Sequence, residues 1–276
     1  MGIWTDDSSM TLAALDSIRE KKTIDPADIM RRFVLWLQKG EYTPFGRSFD
    51  IGGGCYQAIL NSLMNPKLGP AWGGTDEWNN GNESLMRIMP ACLYCYSEEK
   101  AGRMTKEEAV HQIHLVSGLT HNHLRAKTAC GLYFFMTREI LDGEGNLTGR
   151  LQQGLDLGFA FYEKNSEKAE QLSYFKRLRD LTELRQTSRE NIRSSGYVID
   201  TLEAAVWSLI TTGTLKDALL LAVNLGDDTD TVAAIAGGLA GLYYGYEEIP
   251  DDWRKVIQRR IWIERMCREM DLAGLR

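Results

Sequence analysis

The sequence predicts an all-α fold in a single domain, and three observations carry that reading. Apolar residues recur at helical spacing along most of the chain, and strand-like alternation at a period of two is scarcely found. Glycine and proline gather in the gaps between the periodic stretches. No fixed-period repeat, low-complexity linker or composition break marks a boundary within the 276 residues.

Taken in order, the first predicted helix covers 10–18. The second, 27–37, sets Phe33, Val34 and Leu37 on one side. A glycine-rich loop over 43–54 precedes a helix over 56–64, and a second loop covers 65–82. Apolar periodicity then predicts helices over 84–96, 106–119 and 124–141. The loop at 142–149 opens like a calcium-binding EF-hand loop. Its sixth position is Leu147 rather than glycine and its twelfth is Gln153 rather than Glu, so it reads as a solvated turn. Helices are expected over 152–165, 173–192, 201–211, 214–223, 231–244 and 251–270, with the basic run 176–193 as a solvated helix face.

Hydrophobic residues make up 43% of the chain, enough for a substantial core and too many for a disordered one. The formal net charge of -6, with no long Lys/Arg block, argues against nucleic acid as the main partner. No apolar run reaches membrane-spanning length, and the opening Gly2-Ile3-Trp4 runs straight into acidic residues rather than a signal peptide. Five cysteines, odd in number and scattered, read as reduced core thiols in a cytoplasmic protein. Cys92-x-x-Cys95 has no second pair and no nearby histidine, which disfavours a zinc ribbon.

The chemistry concentrates in Asp227-Asp228-Thr229-Asp230-Thr231, which abuts a small-residue segment with no charge before Glu247. Crowded carboxylates raise one another's pKa unless a cation neutralises them, and hard cations take carboxylate and hydroxyl oxygens. A helix start with capping acids accounts for one or two of the three acids, not all of them. On a regular helix Asp228 and Asp230 would point about 200° apart. Sharing one cation therefore needs an irregular backbone, which the break after Gly226 provides, with a helix starting near Thr231. Thr5-Asp6-Asp7-Ser8-Ser9 is a second such run, and the pair suggests a binuclear oxygen-ligand site.

The segment 2–10, containing Trp4-Thr5-Asp6-Asp7, resembles the W-T-D-D-T-x-M segment of the ADP-ribosylglycohydrolase family, which includes the dinitrogenase-reductase-activating glycohydrolases. The runs 194–205, around Ser195-Gly196-Tyr197, and 224–231 are similar to two further family blocks. Weaker echoes are Phe49-Asp50-Ile51-Gly52, Gly81-Asn82-Glu83-Ser84-Leu85-Met86-Arg87 and Leu119-Thr120-His121-Asn122-His123. The blocks occur in family order over nearly the whole chain.

This resemblance implies an orthogonal helical bundle whose central cleft holds two divalent cations, Mg²⁺ or Mn²⁺. It assigns Thr5, Asp6, Asp7, Asp228, Asp230 and Thr231 as their ligands. It further implies hydrolysis of the bond between ADP-ribose and a modified protein side chain, with an ADP-ribosylated protein or an ADP-ribose-like small molecule as partner. Such chemistry needs an activated water and leaving-group protonation. Asp50 is the acid/base candidate by alignment, with Asp7 and Asp228 as further catalytic carboxylates. Gly52, Gly81, Asn82, Ser84, Met86, Arg87, His121 and Tyr197 are the candidate substrate contacts, the 81–87 segment facing a diphosphate through backbone amides with Arg87 nearby.

Three departures from the family pattern qualify what it implies. The chain begins just after the point where a family helix with a G-D-A-L-G-x-x-x-E block would end. Glu83 stands where the family has glycine, and a carboxylate there repels a diphosphate unless it points away or pairs with a cation. Gly53 replaces an asparagine. The alternative is therefore a relative that binds metal or ADP-ribose without turnover, or a hydrolase of another ADP-ribose-like glycoside.

Overall fold

The computed structural model describes residues 2–164 and 166–270, and every extended element among them is helical. In chain order these are α1 (Asp6–Lys21), α2 (Pro26–Lys39), α3 (Gly53–Met64), α4 (Met89–Lys100), α5 (Lys106–Gly118), α6 (Leu124–Asp142) and α7 (Leu147–Tyr162). There follow α8 (Ser166–Gln171), α9 (Leu181–Arg185), α10 (Val198–Thr211), α11 (Leu215–Val223), α12 (Thr229–Tyr244), α13 (Asp251–Val256) and α14 (Arg260–Glu269). Short 3-10 turns cover Pro66–Ala71, Leu172–Arg179, Arg189–Asn191 and Tyr246–Glu248. The β-type pairing among the described residues consists of two isolated bridges, Gly74 with His121 and Gly81 with Tyr197. No described helix is long and apolar enough to cross a membrane.

The helices form two compact units. The first comprises the described parts of Met1–Asn79, Arg87–His123 and Asp251–Arg276, and the second comprises Asn80–Met86 and Leu124–Pro250.

In the first unit α1 packs on α2, α4 and α14. Met10, Ala13 and Ile18 of α1 are buried, as are Ile29, Phe33 and Trp36 of α2 and Cys92 and Cys95 of α4. Asp25 starts α2 by accepting hydrogen bonds from the Ala27 and Asp28 amides, and Gly40 ends it with φ 67°. Arg32 is the polar centre of this unit. Its guanidinium donates to Asp28 Oδ2 at 2.7 Å, Glu20 Oε2 at 2.6 Å and the Tyr42 hydroxyl at 2.8 Å, and it also pairs with Asp16.

In the second unit α6 and α7 cross closely because Gly154 and Gly158 carry no side chain at the crossing. Helix α10 packs against α6, α11 and α12 and is buried on all sides, with Val198, Leu202, Ala205 and Leu209 enclosed.

Several helix boundaries differ from the sequence expectation: α1 runs Asp6–Lys21 rather than 10–18, α3 starts at Gly53 rather than 56, α10 at Val198 rather than 201, and four further differences have a local reason. The 84–96 helix starts only at Met89, because Pro90 lacks an N–H and fits the first turn rather than the interior. The 173–192 helix is broken: Asp180 is extended and caps the short α9 through the Thr182 and Glu183 amides. The 251–270 helix divides at Arg259, which adopts φ 50°. The 142–149 turn is shorter than expected, since Asn146 accepts from the Gly149 amide at 2.9 Å and starts α7 at Leu147. Residue 165, the expected end of that helix, lies outside the described residues. Cys55, Cys92, Cys95 and Cys130 are buried free thiols, while Cys267 is exposed.

Candidate functional site

Helix α12 begins irregularly. Gly226 (φ 103°) and Asp227 (φ 54°) turn the chain through left-handed backbone, which glycine and Asx residues tolerate best. Asp228 then sits outside the helix with φ -91° and ψ 64°, and its carbonyl accepts from the Val232 amide to open the helical ladder. The helix therefore starts at Thr229, two residues before the expected Thr231. This turn is tied to the segment before α10: the Asp228 amide donates to the Ser194 carbonyl at 3.0 Å, and Ser194 Oγ donates to the Gly226 carbonyl at 2.9 Å.

The side chains at this helix start differ in setting. Asp228 is half-buried, Thr231 is buried and Asp230 is exposed within the first turn. Burial pushes the Asp228 carboxyl above its ordinary range, and the neighbouring Asp230 adds to the rise while hydrogen bonds from Asn82 and Thr231 oppose it. One carboxylate thus lies off the helix and one on its first turn.

The Gly81 loop lies against the same turn. Val198 donates to the Asn80 carbonyl and Asn82 to the Gly196 carbonyl, both at 3.0 Å, with the Gly81–Tyr197 bridge between them. Asn82 is buried and its side-chain amide is committed internally, donating to Asp228 Oδ2 at 2.7 Å and to Thr201 Oγ1 at 2.9 Å. Gly196 is the neighbour that makes room, since a Cβ there would lie 3.3 Å from Asp228 Oδ2. Ser84 and Met86 point inward: Ser84 Oγ lies 3.6 Å from Cys130 Sγ, and both residues are buried. Gly81 and Glu83 are half-buried.

Tyr197 is half-buried and its hydroxyl accepts from Arg125 Nη1 at 3.1 Å. Arg125 in turn lies flat over Tyr174, 3.5 Å from the ring centroid, and donates to Gln171 Oε1. Burial pushes the Tyr197 phenol up, with Arg125 acting against the shift. Arg125, Thr201 and Ser194 are supports that the sequence reading missed. Ser194 and Thr201 lie inside a family-like block and Arg125 just beyond one, but only the fold shows which neighbours they hold.

In the first unit, α1 opens with buried acids. Thr5 adopts an extended N-cap backbone, yet its side chain does not cap the helix; Oγ1 donates instead to Asp7 Oδ2 at 2.8 Å. Asp6 and Asp7 are only 6% and 3% exposed, a costly place for two carboxylates and one that the positive end of a helix favours. Asp50 is exposed, with φ 61°, and Gly52 is the N-cap of α3.

Two expected substrate contacts are enclosed in this unit. Arg87 is fully buried, stacks over Phe33 at 4.8 Å from the ring centroid, and donates to Thr120 Oγ1 at 2.6 Å and the Val116 carbonyl at 3.3 Å. Its cation is engaged within the packing of the unit through Phe33, Thr120 and Val116. His121 is buried beside it, with Nδ1 2.9 Å from Thr120 Oγ1.

The two acidic helix starts supply only carboxylate and hydroxyl oxygens, a donor set that fits Mg²⁺ or Mn²⁺. Among the described residues no group of three or more His, Cys, Asp or Glu is gathered as a ready-made ion site.

The sequence matches the ADP-ribosylglycohydrolase family over residues 1–276. It is 34% identical over 270 residues to an ADP-ribosylarginine hydrolase of Pseudomonas putida, covering 98% of this chain and 66% of that protein. It is 28% identical over 281 residues to the ADP-ribosyl-[dinitrogen reductase] glycohydrolase of Rhodospirillum rubrum, covering 98% of this chain and 80% of that one. A solved structure described as an ADP-ribosylglycohydrolase-related protein complex superposes with a TM-score of 0.73 at 26% identity, over 97% of this chain and 81% of that chain. The chain thus spans just under two-thirds of the Pseudomonas putida protein.

Proposed function

The chain belongs to the ADP-ribosylglycohydrolase family, and on that premise we propose that it hydrolyses the glycosidic bond joining ADP-ribose to a modified protein side chain. Arginine is the favoured attachment, by analogy with the ADP-ribosylarginine hydrolase of Pseudomonas putida. One observation carries the reading furthest. Within the second unit, Asp228 is turned off its helix and hydrogen-bonded at 2.7 Å to the loop proposed to hold the diphosphate.

In this reading Thr5, Asp6, Asp7, Asp228, Asp230 and Thr231 hold two divalent cations, Mg²⁺ or Mn²⁺. When bound, the cations supply positive charge that orients ribose hydroxyls and acidifies water. The diphosphate is assigned to backbone amides of the 81–84 segment, and Tyr197, steadied by Arg125, lines the ribose. Asp50, exposed ahead of α3, takes the proton of the attacking water, with Asp7 and Asp228 as the other carboxylates of the reaction. The water oxygen bonds to the anomeric carbon as the bond to the side-chain nitrogen breaks, and the proton that Asp50 took from the water passes to the departing guanidine, restoring the carboxylate.

Glu83 favours a second reading, because its half-buried carboxylate shares the loop assigned to an anionic diphosphate. That reading is binding of metal or ADP-ribose without turnover, or turnover of a different ADP-ribose-like glycoside. The deciding measurement is ADP-ribose release from arginine-modified protein with Mg²⁺ or Mn²⁺, followed by mass spectrometry. Release that vanishes with EDTA and in Asp228→Ala supports the first reading. Release that survives EDTA removes the cations from it, and calorimetric ADP-ribose binding without release selects the second.

A further inference from the structure

We propose that Asn82 is a positioning residue for the Asp228 carboxylate, holding it in the orientation a divalent cation requires rather than contacting substrate. The inference rests on the metal reading above. Both hydrogens of the Asn82 amide are directed, one to Asp228 Oδ2 at 2.7 Å and one to Thr201 Oγ1 at 2.9 Å. The Thr201 hydroxyl spends its own hydrogen on the Ser195 carbonyl at 2.8 Å, with the Tyr197 carbonyl at 3.1 Å, so its oxygen is left to accept from Asn82. That chain of donors fixes which end of the Asn82 amide faces Asp228. An ionised aspartate accepts only, so the NH₂ group must be the one presented.

The backbone fixes Asn82 as firmly as its side chain does. Its amide donates to the Gly196 carbonyl, and its carbonyl accepts from the Leu85 and Met86 amides. With Asn82 Nδ2 donating to Oδ2 and Thr231 as a second hydrogen-bond donor, the Asp228 carboxylate is held against rotation. A hydrogen bond to a charged acceptor of this kind is short and directional, and groups that orient metal ligands typically change metal affinity ten- to a hundredfold when removed.

The test is Mn²⁺ binding to the full chain, read as free Mn²⁺ by electron paramagnetic resonance, for wild type, Asn82→Ala, Asn82→Leu and Thr201→Val. Asn82→Ala and Asn82→Leu are expected to weaken binding ten- to a hundredfold, and Thr201→Val by a smaller factor. The Asn82→Ala/Thr201→Val pair should bind no more weakly than Asn82→Ala alone, because Thr201 acts on the ion only through Asn82. Circular dichroism establishes that each variant is folded, and Thr201→Val carries the test if the Asn82 variants are not. Wild-type affinity in the folded variants, or additive losses in the pair, overturns the inference while leaving the metal reading intact. Absence of Mn²⁺ binding by wild type overturns both.

Discussion

Replacing Arg32 by Met should destabilise the first unit more than any truncation of a surface charge. Arg32 is 3% exposed and Asp28 is 6% exposed, so the pair cannot trade its partners for water. Burial alone would raise the Asp28 carboxyl, but Arg32, Arg31 and Ser17 hold it down at about 2. Against an ordinary carboxyl near 3.8, that depression is worth about 2 kcal/mol at neutral pH. Removing the guanidinium forfeits much of this and leaves buried Asp28 with Arg31 and half-buried Asp16 with Arg19 as their remaining cations, for a total of about 3 kcal/mol. In a chain of this size that corresponds to a fall in Tm of roughly 10 °C. The assay is urea unfolding by circular dichroism at neutral pH, with Arg32→Met compared to Arg32→Met/Asp28→Asn. The double variant should regain part of the loss, because the stranded charge is gone. The acid limb gives an independent check. Since the folded-state value is depressed, the Asp28 share is present above pH ~4 and is lost as pH falls through ~2, so Asp28→Asn should flatten stability over that window. A single variant costing under about 1 kcal/mol, or a double no more stable than the single, would refute the reasoning.

Three further outcomes are expected. Gly154→Ala should cost about 1–3 kcal/mol, because its Cβ would stand 2.7 Å from Met136 Cα and 2.8 Å from the Phe135 carbonyl oxygen, where backbone must move. Gly241→Ala in α12 meets nothing within 4 Å and should instead gain about 0.5–1 kcal/mol; equal thermal shifts for the two would contradict the packing described. Arg87→Lys should lower the urea midpoint by an amount equivalent to about 2 kcal/mol, since a lysine cannot both cover Phe33 and reach Thr120 and Val116. A normal midpoint combined with weakened ADP-ribose binding would return Arg87 to the substrate.

The helical class was legible because the apolar period persists through α2, α5, α6 and α10, which are held by burial. Boundaries were legible only where a single residue type dictates them. Asp25 and Gly40 bracket α2 in sequence as in space, and Pro90 marks the start of α4 once its missing N–H is weighed against periodicity. Asp180 caps α9 as Asp25 caps α2, but within a periodic stretch that hides it, and Arg259 carries no such mark. Neither residue is glycine or proline, and the surrounding apolar spacing runs on through both. Periodicity reports which face is apolar, not whether the backbone between two turns stays helical.

The acidic runs illustrate the same limit at the site. That Asp228 and Asp230 need an irregular backbone to act together follows from helix geometry, and Gly226 supplied a visible cause. What holds Asp228 there does not follow, because Asn82 lies 146 residues away in sequence and reads, in isolation, as one more polar residue of a loop. Its place among the substrate contacts came from its block, and its bonded partners are Asp228 and Thr201. Arg87, likewise taken from its block as a neighbour of the phosphates, is enclosed by Phe33, Thr120 and Val116. A sequence block therefore marks residues that are needed near a site without distinguishing the groups that meet the ligand from those that hold such groups still. For this chain the distinction falls on one amide, and the Mn²⁺ affinity of Asn82→Leu is where the two roles part.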